Sequence, residues 1–108
     1  MAQDFERNTS NAVGTSAVTL RTANSDDAIV GITIANVTTS QITVEVYINA
    51  GSNDIHIVKD APIPAGSRLQ VLDWGAKIVM VSGDAVKVKS NTASSADVWV
   101  SVVDTISE

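Results

Sequence analysis

The chain is dominated by an alternation of apolar and polar residues that restarts after almost every turn. Its clearest example is the stretch 42–49, ITVEVYIN. Successive side chains of a β-strand point to opposite faces, so this alternation predicts a strand with one buried and one exposed face. Because the pattern recurs along the chain, it predicts packed or closed β-sheets rather than a bundle of helices.

Length and composition are consistent with one such domain. A chain of 108 residues can bury a single core, whereas two domains of half that length would each lack one. Val, Ile and Thr occupy about a third of the positions and Leu is scarce. This excess of β-branched residues is typical of well-covered sheets and excludes a helical bundle.

Turn residues divide the chain into about eight predicted strands, spaced by roughly 8–12 residues as in sandwiches and jelly rolls. We therefore predict an all-β, single-domain antiparallel β-sandwich, jelly-roll-like, over residues 12–108. In residues 28–37, the alternation places Val30, Ile32 and Ile34 on one face and Ile29, Gly31, Thr33 and Ala35 on the other. Because the second face is small and nearly apolar, this segment is predicted to be a central strand covered on both sides. The predicted strands cover residues 13–21, 28–37, 42–49, 54–59, 67–72, 77–81, 85–90 and 97–106.

Two segments read differently from the regular strands. Residues 1–11 are polar and mixed in charge, and they predict a flexible N-terminal arm. Its one large apolar residue, Phe5, is expected either to fold back onto its own domain or to dock onto a neighbour. We expect deletion of the arm to leave the thermal unfolding transition nearly unchanged and to weaken assembly. In residues 54–59, the alternation places Ile55 and Ile57 inward and His56 and Val58 outward. The two prolines that follow predict that the chain crosses the edge of a sheet or passes between the sheets.

Few residues offer catalytic or metal chemistry. The chain has no cysteine and one histidine, His56, which the alternation places in solvent, so most zinc arrangements are excluded. Ser67, His56 and Asp60 can be combined on paper into a triad, but nothing resembling a nucleophile elbow surrounds any serine. Asp26 and Asp27 favour a turn, because the glycine and distal Glu of an EF-hand loop are missing. We predict a protein that is not an enzyme and has no cofactor and no metal.

Charge and hydropathy also restrict the partners and the compartment. The net charge of -5 opposes binding to nucleic acid, which needs clustered Lys and Arg. No apolar run approaches the roughly 18 residues of a membrane span, and the first residues lack the pattern of a signal peptide. We therefore expect no nucleic-acid partner, no membrane partner and synthesis in a cytoplasm.

Several large apolar side chains fall on positions that the alternation leaves exposed. Tyr47, Trp99 and Val103 lie at outward strand positions, Trp74 lies on a turn and Phe5 on the arm. Tyr and Trp are enriched at association hot spots, and an exposed aromatic side chain favours a surface that a partner covers. We predict these five as interface residues. The alternatives are that the chain's own loops or arm cover this face, or that the two faces are inverted.

Four segments carry a resemblance to a known group: NTSNAVGTSAVTL at 8–20, TSQITVEVYI at 39–48, VKDAPIPAGSRL at 58–69 and ADVWVSVVD at 96–104. Together they resemble small virion structural proteins of tailed bacteriophages, including phages of cyanobacteria. The most specific part is KDAPIPAGS at 59–67. The resemblance spans nearly the whole chain and implies a non-enzymatic component of a virion, made in the cytoplasm of a host bacterium.

The resemblance leaves the position in the particle open. The preferred placement is a capsid decoration (cement) protein, a small β-rich domain that covers junctions of the shell. Its partners would be other virion proteins, with the major capsid protein favoured, and it would form a homo-oligomer, possibly a trimer. The first alternative is a neck, tail or fibre-adaptor subunit. The second is a host-glycan-binding module at a fibre tip, which Trp74 supports and the scarcity of aromatic residues disfavours.

Overall fold

The computed structural model describes residues 4–72 and 77–104, and these residues form nine β-strands. Within them there is no helix long and apolar enough to cross a membrane. All nine secondary-structure elements of the described residues are strands, so the predicted all-β fold is confirmed. The strands are β1 (Asp4–Val13), β2 (Val18–Thr22), β3 (Asp27–Asn36), β4 (Ile42–Ala50), β5 (Asn53–Ile63), β6 (Arg68–Gln70), β7 (Ile78–Met80), β8 (Ala85–Ser90) and β9 (Ala96–Asp104).

The strands form two antiparallel sheets that pack into a sandwich. Sheet A has the order β1-β9-β3, and β6 and β7 both pair with the far side of β3; sheet B has the order β2-β8-β4-β5. Strands β4 and β5 form a hairpin within sheet B, and β6 and β7 both belong to sheet A. At every other connection between consecutive strands, the chain passes from one sheet to the other. Because β6 and β7 together occupy one edge position, each sheet has four strand positions. Two packed sheets with eight strand positions in all are the arrangement of a jelly roll.

The core between the sheets consists of branched aliphatic side chains. In β4, Val44 and Val46 are buried while Glu45 between them is partly exposed. In β9, Val98, Val100 and Val102 are buried and alternate with more exposed neighbours. The alternation therefore predicted the buried face of both strands correctly, and burial of each such side chain contributes about 1.5–3 kcal/mol of transfer free energy.

A bulge in β3 reverses the faces predicted for its first half. The register with β9 shifts between Ile29 and Gly31, which leaves Val30 as an extra residue with 39% exposure. Ile29 is buried instead. One extra residue in a pattern of period two moves every residue on one side of it to the opposite face. The predicted grouping of Val30 with Ile32 and Ile34 was therefore wrong, because Ile29 packs in the core with them instead. The predicted central position of the strand is confirmed.

Strand β5 also departs from the predicted faces, because its pairing with β4 shifts register around Val46. Ile55 is 54% exposed rather than buried, and Val58 packs against the core rather than facing outward. The strand continues through Pro62 at the edge of sheet B. An edge strand tolerates proline because its outer side makes no ladder hydrogen bonds that a missing N–H could remove. The proline segment follows this edge and stays paired with β4 as far as Ile63, rather than leaving the sheet after Lys59.

The residues predicted as an arm form, from Asp4 onward, an edge strand of sheet A. Strand β1 pairs with β9 from Asp4 opposite Asp104 to Val13 opposite Ala96, with a register shift after Ser10. This strand was not predicted because most of its side chains are polar on both faces, so its sequence shows no apolar alternation. Its backbone hydrogen bonds with β9, rather than a buried apolar face, stabilise it. Phe5 does not fold back, since it is 84% exposed. That residues 1–11 act as a separable unit stays a prediction.

A buried amide at the end of β3 joins the two sheets. Asn36 is 3% exposed, and its Nδ2 donates hydrogen bonds to the carbonyl oxygens of Ser40 at 2.8 Å and Ile63 at 2.9 Å. Its Oδ1 accepts a hydrogen bond from the Thr38 N–H at 2.9 Å. Because Ile63 is the last residue of β5, this side chain connects a central strand of sheet A to the edge of sheet B.

Candidate functional site

The outer face of sheet A carries the two most exposed large apolar side chains of the described part of the chain. Phe5 of β1 lies opposite Val103 of β9, Val103 lies opposite Ala28 of β3, and Ala28 lies opposite Val79 of β7. Residues opposite each other on neighbouring strands share a face, so these four residues form one apolar row across four strands. The row ends in Phe5, 84% exposed, and Val79, 61% exposed.

Trp99 lies on the same outer face, two rows away from the apolar row. It is opposite Thr9 of β1 and Thr33 of β3, and it is 51% exposed. Arg7, in the row between, places its guanidinium carbon 5.0 Å from the centroid of the Trp99 ring. This distance is within the range of a cation–π interaction, which favours the observed orientation of the exposed indole by about 0.5–1 kcal/mol.

A shallow cavity of about 470 Å³ adjoins Trp99 on the side of its row that is away from Arg7. One wall is the bulge in β1, where Ala12 has a φ of 55° in the left-handed region. Asp97 stabilises this bulge, because its Oδ1 accepts a hydrogen bond from the Ala12 N–H at 3.0 Å. The cavity is lined by Thr9, Ser10, Asn11, Thr33, Ala35, Asp97, Val98 and Trp99.

A partly buried cation connects sheet B to three strands of sheet A. Arg21 of β2 forms ion pairs with Asp27 at 2.8 Å, Glu6 at 3.0 Å and Asp104 at 3.3 Å. Burial alone would lower the pKa of the Arg21 guanidinium, but its hydrogen bonds with Asp27 and Glu6 outweigh burial and raise that pKa. Asp27, predicted in a turn, is instead the buried first residue of β3, so this cluster serves to join the sheets.

A second polar cluster lies on sheet B and contains the remaining described aromatic residue. The ring of Tyr47 is 5.0 Å from that of His56, centroid to centroid. Glu45 lies 3.4 Å from His56 Nε2 and accepts a hydrogen bond from Lys59 Nζ at 3.1 Å. The bond from Lys59 lowers the pKa of Glu45, and burial raises the pKa of Tyr47. Tyr47 is thus partly covered by its own chain.

The structure brings together three of the five predicted interface residues. Phe5 and Val103 are direct neighbours, and Trp99 lies on the same face. Tyr47 belongs to the other sheet, and Trp74 lies outside the described residues. That these residues form an interface stays a prediction.

Two exposed side chains of this face, Val79 and Arg7, were not among the interface residues predicted from the sequence. Val79 lies in a three-residue strand, too short for an alternation to assign its faces, although it is next to the buried Met80. Arg7 lies in the segment predicted as an arm, and no sequence signal connects it with Trp99. Both become visible only from the pairing of β7 with β3 and of β1 with β9.

Ser67, His56 and Asp60, which could form a Ser-His-Asp triad by residue type, are not arranged as a catalytic triad. His56 contacts Glu45 and Tyr47, while the carbonyl of Ser67 accepts a hydrogen bond from the Asn36 N–H beyond the far end of β5. Across residues 4–72 and 77–104, no group of three or more His, Asp and Glu side chains is arranged to hold a metal ion.

Comparison with known proteins finds a similar fold. No protein-family model matches the chain, and no curated protein matches it either. A solved structure of Bacillus endospore appendages, described as forming a novel family of disulfide-linked pili, matches with a TM-score of 0.55 and 14% identity, covering 94% of this chain and 84% of that chain. At this identity the match shows a shared fold alone. That protein is a bacterial surface appendage rather than a phage protein, and this chain has no cysteine with which to form a disulfide link.

Proposed function

We propose that this protein is a non-enzymatic structural subunit that works through repeated contacts in a large assembly. The observation that carries the proposal is the apolar row, which crosses four strands and ends in the exposed side chains of Phe5 and Val79. Ala28 within the row is buried, but Phe5 and Val79 at its two ends are large exposed apolar side chains of the kind that a partner protein covers. An exposed aromatic residue at one end of the row provides an anchor of the type found at association hot spots.

The open edge of β1 offers a second contact beside Phe5. Strand β1 pairs regularly with β9 from Asp4 to Ser10, and no described strand pairs with its other side. The edge strand β5, in contrast, contains Pro62, register shifts against β4, and Asp60 with a φ of 54°, all of which hinder pairing with another strand. A strand of a neighbouring subunit would therefore add more readily to sheet A than to the β5 edge of sheet B.

The finer proposal is that the assembly is a phage virion and the subunit a capsid decoration protein. Its support is the resemblance to small virion proteins, most specific at residues 59–67. Its favoured partner is the major capsid protein, and the subunit would form a homo-oligomer, possibly a trimer. A modest apolar area per copy is sufficient for this role, because many simultaneous contacts multiply weak affinities. A neck, tail or fibre-adaptor subunit is the alternative position.

The test is to mix the purified protein with undecorated capsids and image the particles. We expect density on the shell, and we expect Phe5→Ser or Val79→Ser to weaken binding about tenfold or more, as for a hot-spot residue. The control is Ile55→Ser, which removes a side chain of 54% exposure from sheet B. Particles with added density on their tails and none on their capsids would contradict capsid decoration. An equal loss of capsid binding by Ile55→Ser would contradict the assigned face.

A second candidate is a subunit of a surface filament, favoured by the fold shared with the Bacillus appendage. In that case the purified protein should form fibres by itself at high concentration, without capsids. Contacts between copies would be noncovalent, because the chain has no cysteine. Electron microscopy of the concentrated protein separates the two candidates, since a decoration protein should remain a small oligomer in the absence of its shell.

A further inference from the structure

We propose that the cavity beside Trp99 binds a neutral saccharide. This site is separate from the apolar row, because Thr9 at the cavity is four residues along β1 from Phe5, a distance of about 13 Å. The saccharide proposal therefore does not rest on the proposed structural function. A subunit held through Phe5 and Val79 can keep the Trp99 end of the face accessible.

Trp99 supplies the surface on which a sugar ring would stack. Its side chain is 51% exposed, and it lines the cavity while Arg7 lies over the ring from the next row. One face of a pyranose ring consists of C–H groups, and an indole offers a flat apolar surface of matching size. Because the contact with Arg7 favours one orientation of the indole, less conformational freedom is lost when a ligand stacks on it.

Polar groups around the cavity match the hydroxyl groups of a sugar. One oxygen of Asp97 is held by the Ala12 N–H, and its other oxygen makes no hydrogen bond with a described residue. Asn11 contributes an amide that can both donate and accept, and Thr33 contributes a hydroxyl that can do the same. Neighbouring sugar hydroxyls require donors and acceptors side by side, which a carboxylate and an amide provide together.

The charge and size of the cavity narrow the ligand class. The described residues that line it include Asp97 and no lysine or arginine, so a sugar carrying a carboxylate or sulfate is disfavoured. The net charge of -5 acts in the same direction. A volume of about 470 Å³ is in the range of about 300–1,000 Å³ for ligand sites, with room for one or two sugar rings. A cationic ligand would use the indole and the carboxylate but would leave the hydroxyl and amide groups without a role.

The test is a heteronuclear NMR titration of the full chain with lactose, maltose, cellobiose and chitobiose. We expect at least one of these neutral disaccharides to shift the Trp99 indole N–H signal saturably, with a dissociation constant in the millimolar range typical of a shallow site. Sialyllactose is the charged counterpart of lactose and should bind several-fold more weakly. Tetralysine serves as the cationic probe and should leave the signal unchanged.

Three variants locate the site. Trp99→Ala should abolish the shifts in the cavity residues, and Asp97→Asn, which keeps an oxygen for the Ala12 N–H, should weaken binding about tenfold. Tyr47→Ala removes an aromatic side chain from the other sheet and should leave binding unchanged. If Trp99→Ala does not fold, Asp97→Asn decides.

The proposal is wrong if none of the four disaccharides shifts the Trp99 signal, if tetralysine shifts it instead, or if Asp97→Asn binds as well as the parent chain. Capsid binding by Trp99→Ala distinguishes this result from the structural proposal. A variant that has lost the saccharide but still decorates capsids shows that the two sites act separately.

Discussion

Replacing Arg21 by methionine tests the ionic cluster that joins the two sheets. Methionine keeps an unbranched apolar stem of similar length but removes the guanidinium that contacts Asp27, Glu6 and Asp104. The perturbation therefore acts on the charge contacts while retaining most of the packing around the stem.

The expected magnitude follows from the burial of each partner. The side chain of Asp27 has no exposed surface, and removal of one member of a buried ion pair costs about 3–5 kcal/mol. The Glu6 side chain is 41% exposed, so its contact contributes no more than about 1 kcal/mol. A domain of this size has a free energy of unfolding of about 5–15 kcal/mol, so Arg21→Met should remove a large share of it.

Urea unfolding followed by far-ultraviolet circular dichroism measures these changes. We expect Arg21→Met to lose about 3–5 kcal/mol, the control Glu6→Gln to lose less than about 1 kcal/mol, and Arg21→Lys to lie between them. A lysine keeps the charge, but its single ammonium cannot replace the planar fork that contacts three carboxylates. The reasoning would be refuted if Arg21→Met cost less than about 1 kcal/mol, or no more than Glu6→Gln.

Three further predictions concern the rest of the fold. Asn36→Ala should cost about 1–3 kcal/mol in urea unfolding, because it removes the donor to the buried carbonyl oxygen of Ile63; an unchanged midpoint would contradict the role given to this amide. The bond from Lys59 lowers the folded-state pKa of Glu45, so its contribution to stability is present above the unfolded pKa of about 4.3 and is lost as the pH falls through the lower folded pKa. Thermal melts from pH 5 to about pH 3 should therefore show a smaller loss of midpoint for Glu45→Gln than for the parent chain, and parallel curves would exclude the contribution. Deletion of residues 1–11 should lower the thermal midpoint, because it removes most of β1 from its ladder with β9; an unchanged midpoint would show that the segment is a separable arm after all.

The alternation predicted the strands that have one apolar and one polar face. In β4 and β9 every second residue is a buried aliphatic side chain, so period two is visible in the sequence and the buried face follows from it. The signal fails where a register shift interrupts the period, as at Val30, and where both faces are polar, as along β1. Neither a bulge nor a backbone ladder changes the hydropathy of the residues involved, so the sequence pattern does not record them.

The candidate sites show a second limit. The exposure of Trp99 was predictable from its place between two buried valines, but its neighbours depend on strand order. Val79 joins the apolar row only because β7 pairs with the first residues of β3, and Asp97 holds the bulge at Ala12 across most of the chain length. A local pattern gives the face of a residue, whereas the contacts on that face follow from long-range pairing.

The pairing of Asp4 with Asp104 has a practical consequence for engineering. Opposed Cα atoms of antiparallel strands are about 5 Å apart, so the two ends of the described sandwich leave it side by side. A short linker could close the chain into a circular permutant that opens at the exposed Gly51–Ser52 hairpin turn. The same geometry would let the whole domain be grafted into a loop of a carrier protein as a cassette. Because Asp97 is seven residues along β9 from Asp104, the Trp99 cavity would then lie about 24 Å from the point of attachment.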